Sequence, residues 1–228
     1  MPTRKITRSP VKVTGTLPDG QRYESTLEED FYVLLRFNPL VANFEAQPVA
    51  VEWRDGKGKI RNYTPDVLVH YRQDLAESAD MRPVLCEVKP DLTEQSESPR
   101  RRKPPRSENE EENQLKWAAA ERYAARQGWT FKVYRESEIR TPYLDNARFL
   151  LRYLERAVDS KHEPEILAWI AERGPRTLDE WASIRGGSSR VRAEIFPACY
   201  RLIAQRRVEV DLSVPLTLQS VIKALPDA

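Results

Sequence analysis

Two short stretches hold residue types that can work on a phosphate ester: Tyr63-Thr64-Pro65-Asp66, and then Cys86-Glu87-Val88-Lys89. Residues two apart in a strand share a face, so Glu87 and Lys89 point together while Cys86 and Val88 pack into the other side. An acid and a lysine on an otherwise apolar strand are costly unless paired or bound. Asp66 falls at the start of a neighbouring strand, directly after a proline. Hydrolysis of a phosphodiester needs a nucleophilic water and a stabilised pentavalent anion. Two carboxylates can hold Mg²⁺ through oxygen, with waters and phosphate completing the octahedron. The ion lowers the pKa of its water and neutralises charge that develops on phosphate. A lysine nearby can orient the water, stabilise the transition state, or act as base if its pKa is depressed. Neither His nor Cys is required.

An Asp on one strand and an ExK on the next form the skeleton of the PD-(D/E)xK nucleases. The plain alternative is a solvated surface ion pair between Glu87 and Lys89. Three features weigh against it: the apolar strand, the Pro-Asp on the preceding strand, and a third carboxylate, Glu28, on an upstream helix. Glu28 shares a helical face with Phe31 and Leu35 and so faces the core. Its own plain alternative is a capping-box glutamate three residues after the N-cap Ser25.

The elements that must hold these residues can be read from periodicity. A helix is expected from Ser25 to Phe37, with an apolar stripe of Leu27, Phe31, Leu34 and Leu35, and Asn38-Pro39 ends it. Three strands follow, Val49–Arg54, Asn62–Tyr71 and Pro83–Lys89, with Asp55-Gly56-Lys57-Gly58 as a hairpin signal. Residues 91–107, rich in Ser, Glu, Pro and Arg, read as a long mobile loop. A helix over Glu110–Gln127, closed by Gly128, leads to a strand over Thr130–Tyr134. This order implies an α/β restriction-endonuclease-like core with a mixed central sheet, the last strand parallel to the third. From Thr141 the pattern turns helical. Helices are expected over Asn146–Asp159, Pro164–Arg173, Thr177–Ile184 and Ser189–Gln205, then a strand over Arg207–Leu212, a winged-helix-like order. The expected division is a basic arm at 1–22, a catalytic domain at 23–140 and a C-terminal domain at 141–228.

Composition excludes several classes. The 228 residues carry 37 Lys and Arg against 35 Asp and Glu, so any nucleic-acid partner is met by local clusters rather than by net charge. Such clusters are Arg4, Lys5, Arg8 and Lys12 in the arm, and Arg100, Arg101, Arg102, Lys103 and Arg106 in the loop. The loop cluster can grip phosphates, or can be a soluble segment offset by the glutamates at 108–112. Cys86 and Cys199 form no CxxC pair and read as buried thiols. His70 and His162 are isolated, which leaves no zinc set. No apolar run is long enough to span a membrane, and the basic N-terminus lacks the apolar core of a signal peptide, so a cytoplasmic protein is expected.

Leu27-Glu28, Phe37-Asn38-Pro39, Gln47-Pro48, Thr64-Pro65-Asp66 and Glu87-Val88-Lys89-Pro90 resemble, in order and spacing, the TnsA endonuclease family of heteromeric cut-and-paste transposases. The resemblance runs over residues 24–135 by motif and more weakly beyond. It implies catalytic acids at Glu28 and Asp66 and a catalytic lysine at Lys89. The family position two before that lysine is Gln or Glu, here Glu87. The resemblance further implies Mg²⁺, for which Mn²⁺ can substitute, held by Asp66, Glu87 and Glu28. It implies cleavage of the 5′, non-transferred strands at transposon ends in double-stranded DNA. Its implied partners are a DDE transposase (TnsB-like) and an AAA+ regulator (TnsC-like), with a CRISPR effector as target selector in some systems.

Two other functions fit the same residues. One is a stand-alone nuclease of restriction or repair type; the other is a DNA-binding adaptor whose site is inert. In the C-terminal part the third helix carries Arg190, Arg192 and Arg201. It could read DNA, but its mostly apolar remaining residues favour docking of a partner protein.

Overall fold

The computed structural model describes residues 14–16, 20–79, 81–91, 110–155, 161–184 and 186–225. The basic clusters at Arg4, Lys5 and Arg8 and at Arg100, Arg101, Arg102 and Lys103 lie outside these residues, as does nearly all of the loop expected at 91–107. The chain divides into two compact units, Met1–Ile139 and Arg140–Ala228.

The first unit opens with a short antiparallel pair, β1 (Gly15–Thr16) and β2 (Arg22–Tyr23). Helix α1 (Thr26–Phe37) follows, with Ser25 as its N-cap. Then come β3 (Val41–Ala46), β4 (Val51–Arg54), β5 (Ile60–Tyr63), β6 (Val67–Tyr71) and β7 (Val84–Lys89). Helix α2 (Glu110–Arg126), β8 (Thr130–Arg135) and the short α3 (Glu136–Ile139) complete the unit.

The central sheet has the order β3-β6-β7-β8. β3 and β7 each pair antiparallel with β6, and β8 runs parallel to β7. It is thus a mixed sheet, and the chain's first unit is an α/β core. The pleat sorts its residues by parity. Val67, Val69, Cys86 and Val88 join Leu27, Phe31, Tyr32 and Leu35 of α1 in one apolar cluster. Leu68 and Leu85 join Ala120 and Ala124 of α2 in another. One helix therefore covers each face, which buries β6 and β7 on both sides and explains their near-continuous apolar runs. Small alanines on α2 let that helix approach the sheet closely.

The expected single strand over Asn62–Tyr71 is two. β5 pairs only with β4 in a separate hairpin, and β6 belongs to the central sheet. Pro65, which has no N–H to give a ladder, stands at the break. β3 was not expected. Only Phe44 of its six residues is buried, and a register shift at Val41/Asn43 spoils the alternation. The side chain of Gln21 serves this edge strand instead: it donates to the Phe44 carbonyl at 2.9 Å and accepts from the Ala46 amide at 2.9 Å.

The second unit holds α4 (Pro142–Glu155), α5 (Glu163–Arg173), β9 (Arg176–Thr177), α6 (Leu178–Ser183), α7 (Ser189–Ala204) and β10 (Val221–Ile222). β10 pairs antiparallel with β9. The strand expected over Arg207–Leu212 is reduced to one bridge, Glu209 to Lys223. Asn146 replaces ladder bonding there. Its amide donates to the carbonyls of Leu212 at 2.9 Å and Val214 at 2.7 Å and accepts from the Leu216 N–H at 2.8 Å. Pro197 is tolerated within α7, which runs unbroken through it. Among the described residues no helix is long and apolar enough to cross a membrane.

Candidate active site

Asp66 begins where the hairpin chain enters the central sheet. Its amide donates to the Cys86 carbonyl at 3.0 Å, and its own carbonyl accepts from the Gln47 N–H at 2.8 Å. The carboxylate Oδ2 accepts from the Val88 N–H at 2.7 Å. Side chain and backbone together thus lock Asp66 onto β7. Loss of solvation raises its pKa well above the ordinary carboxylate range, and the negative charges of Glu87 and then Glu28 push the same way. The Val88 N–H and the Lys89 ammonium oppose that rise without cancelling it.

Glu87 lies on the α2 side of the sheet and is buried, with its side chain only 4% exposed. Its two oxygens are divided between two donors. Lys89 Nζ lies 2.9 Å from Oε1, and the Tyr63 hydroxyl donates to Oε2 at 2.5 Å. The ion pair expected of an ExK strand is therefore formed, but it is a buried pair rather than a solvated one.

Glu28 reaches the site from α1. It accepts from the Glu24 N–H through Oε2 at 2.8 Å and from the Ser25 hydroxyl through Oε1 at 2.9 Å, while its own N–H donates to Ser25 Oγ at 3.2 Å. It therefore caps the helix and also acts on Asp66 by charge. A chain of bonds ties the two acids together. Gln47, whose N–H holds the Asp66 carbonyl, donates through Nε2 to Glu24 Oε1 at 2.9 Å, and the Glu24 N–H holds Glu28. Gln47 takes a left-handed backbone, φ 49°. A non-glycine residue there costs about 1–2 kcal/mol, which this network offsets.

Tyr63, Gln47 and Arg135 were not singled out for a role at the site from sequence. Tyr63 precedes the Thr-Pro-Asp motif, and only the end of the hairpin brings it to Glu87. Arg135 is the parallel register partner of Lys89 and donates to the Pro90 carbonyl at 3.2 Å. The parallel crossover could have pointed to it.

The donor set suits a hard divalent cation. Around Asp66, two further carboxylates, Glu87 and Glu28, are set against one ammonium, Lys89, in a poorly solvated place. Glu28 has both oxygens bound to the turn that leads into its own helix, whereas one of the two donors on Glu87 is the partly exposed Lys89 ammonium, which can be displaced. Among the described residues no three His, Cys, Asp or Glu side chains converge as a metal-holding group. A full three-carboxylate cage is therefore not built. Asp66 and Glu87 remain, and one or two carboxylates with waters and substrate phosphate are the usual holding of Mg²⁺.

Residues 38–136 match the family described as TnsA-like endonuclease N terminal. The chain carries a TnsA-like endonuclease domain. Asp66, Glu87 and Lys89 lie inside the matched stretch, and Glu28 lies before it. The chain matches no curated protein. The TnsA-like domain is thus one of a transposase endonuclease subunit family, and its match ends within the first unit.

Among the described residues, the second unit brings no comparable acids together. Of the three arginines on α7, Arg192 pairs with Asp179 and donates to Ser183 Oγ at 2.8 Å. Arg201 lies 2.9 Å from the buried Glu163. Arg190 stands out, with its side chain 92% exposed, 3.9 Å from Glu194.

Proposed function

We propose that the chain is a magnesium-dependent DNA endonuclease, the subunit of a heteromeric transposase that cuts the 5′, non-transferred strands at transposon ends. The observation that carries this reading is the meeting of Asp66, Glu87 and Lys89 in a half-buried site with Glu28 close behind, inside a TnsA-like domain. The core is then of restriction-endonuclease type.

Asp66 and Glu87 would hold the ion, Mg²⁺ or Mn²⁺, and Glu28 would add negative charge from α1. The ion's contribution is a water of lowered pKa and neutralisation of charge on the scissile phosphate. The chain's own residues do the rest. The Val88 N–H fixes the Asp66 carboxylate. Lys89, released from Glu87, can orient the attacking water or meet the developing anion. Arg135, beside Lys89 in the register, offers a second positive group to the DNA backbone.

The second unit would be a winged-helix-like domain that docks a partner protein, the AAA+ regulator. Two of the three α7 arginines are engaged within the unit, which favours docking over reading of DNA.

The test is strand-specific cleavage of end DNA by the full-length chain, with the transposase partner and Mg²⁺. Nicks confined to the 5′ strands and lost in Asp66→Ala would support the proposal. Cleavage of plasmid without partners would favour a stand-alone nuclease. Failure of the wild type to bind Mg²⁺ would favour an inert adaptor.

A further inference from the structure

We infer that Tyr63 is a positioning residue of this site: its hydroxyl holds the Glu87 carboxylate in the orientation that a divalent cation needs. The inference rests on the metal-dependent reading above. Tyr63 is the last residue of β5 and so belongs to the hairpin, not to the sheet that carries Glu87. Its ring packs on two apolar clusters, one with Leu85 and Ala120, the other with Val51, Trp53 and Ala119. The ring is therefore wedged between hairpin, sheet and α2. From there the hydroxyl reaches Glu87 Oε2 at 2.5 Å. That is the length of a charge-assisted O–H···O⁻ bond, the stronger kind.

The two donors on Glu87 differ in freedom. Lys89 has a long stem and a side chain 21% exposed, so its ammonium can leave Oε1 for solvent or substrate. Tyr63 has a rigid ring in packed surroundings and cannot follow. Whichever partner Oε1 has, Tyr63 keeps Oε2 occupied and the carboxylate plane fixed. A carboxylate offers about four lone-pair sites, so one donor on Oε2 leaves capacity for a cation. Groups that orient a ligand in this way typically change metal affinity by about 10–100-fold when removed.

The experiment uses full-length Tyr63→Phe, which keeps every ring atom and removes only the donor. Mg²⁺ and Mn²⁺ are titrated by calorimetry, and melting is followed with chelator and with each ion. Affinity should fall about 10–100-fold. The rise in melting temperature produced by a fixed, subsaturating ion concentration should shrink with it. Cleavage should fall at limiting ion and recover at high ion. A structural role would lower the melting temperature in chelator and leave the affinity at the wild-type value, and that result overturns the inference. A variant that does not fold would make the hydroxyl a requirement of the fold and overturn it too. If the wild type itself binds neither ion, the reading beneath fails. If the wild type binds and Tyr63→Phe binds equally, only this inference fails.

Discussion

Asp66→Asn should stabilise the apo protein and disable it. The substitution keeps shape and keeps an oxygen for the Val88 N–H, which now bonds Oδ2 at 2.7 Å, so no hydrogen bond need be lost. What it removes is a charge in a place that disfavours charge, because of lost solvation and because of Glu87 and Glu28. Single stabilising substitutions commonly yield about 0.5–2 kcal/mol, and that range is expected here. For a chain of this size that is a rise in melting temperature of roughly 1–8 °C, since each kcal/mol moves it about 2–4 °C.

The pH dependence gives the sharper test. The folded-state pKa of Asp66 lies above its unfolded value. The stability tied to its neutral form is thus fully present below the unfolded pKa, near 4 by ordinary values, and is lost as pH rises through the folded pKa. The asparagine cannot ionise. The gap between variant and wild type should therefore be small at about pH 4 and grow as pH rises. Thermal melting in chelator, watched through the transition of the first unit, measures this gap. Metal binding should fall more than the roughly 100-fold typical of an indirect partner, because a ligand itself is lost. A variant less stable than wild type at pH 8, or a gap independent of pH, would refute the reasoning.

Lys89→Ala should keep metal binding and lower cleavage about 10²–10⁴-fold, because an ammonium is not a ligand but can serve the water or the anion; calorimetry beside single-turnover cleavage checks both halves. Cys86 and Cys199 are fully buried, and burial pushes the Cys199 thiol up to about 12 and Cys86 higher, with Asp66 adding to the rise at Cys86. Neither should react with iodoacetamide at pH 8 until denaturant is added, which mass spectrometry can follow. Asn146→Ala should destabilise the second unit by about 2–4 kcal/mol, since it removes three bonds and strands buried backbone groups. A melting temperature within a degree of wild type would contradict that estimate.

Periodicity made most of the first unit legible. α1 and α2 show helical spacing, and β7 carries an unbroken apolar run because helices cover both faces of the sheet. Strands whose stability comes from elsewhere were harder to see. β3 buries a single residue and is finished by Gln21, which is distant in sequence and shows no strand pattern. At the site, Asp66, Glu87 and Lys89 could be found because strand parity and the Thr-Pro-Asp motif are local. Tyr63 and Gln47 could not be assigned roles, because their partners lie 24 and 23 residues away and are reached only through the tertiary fold. The capping and catalytic readings of Glu28 looked like rivals in sequence. In three dimensions one carboxylate can accept from Glu24 and Ser25 and still press its charge on Asp66.

The donors around these acids also say which part of the site can move. The Val88 amide is fixed by its strand, the Glu24 amide by the short turn from β2 into α1, the Ser25 hydroxyl by its N-cap, and the Tyr63 hydroxyl by its packed ring. Lys89 alone of these five donors stands on a flexible stem with solvent access. A site that must accept a phosphate and a water needs one group able to give up its resting partner. If a locked donor moved instead, its acid would lose a hydrogen bond in a poorly solvated place, at a cost of about 1–3 kcal/mol, and the donor would have no solvent to turn to. Lys89 could leave Oε1 once a cation compensates the buried Glu87 carboxylate, because water can then solvate its ammonium. The rigid donors therefore hold the acids in place, and the handling of water and developing charge falls to the lysine.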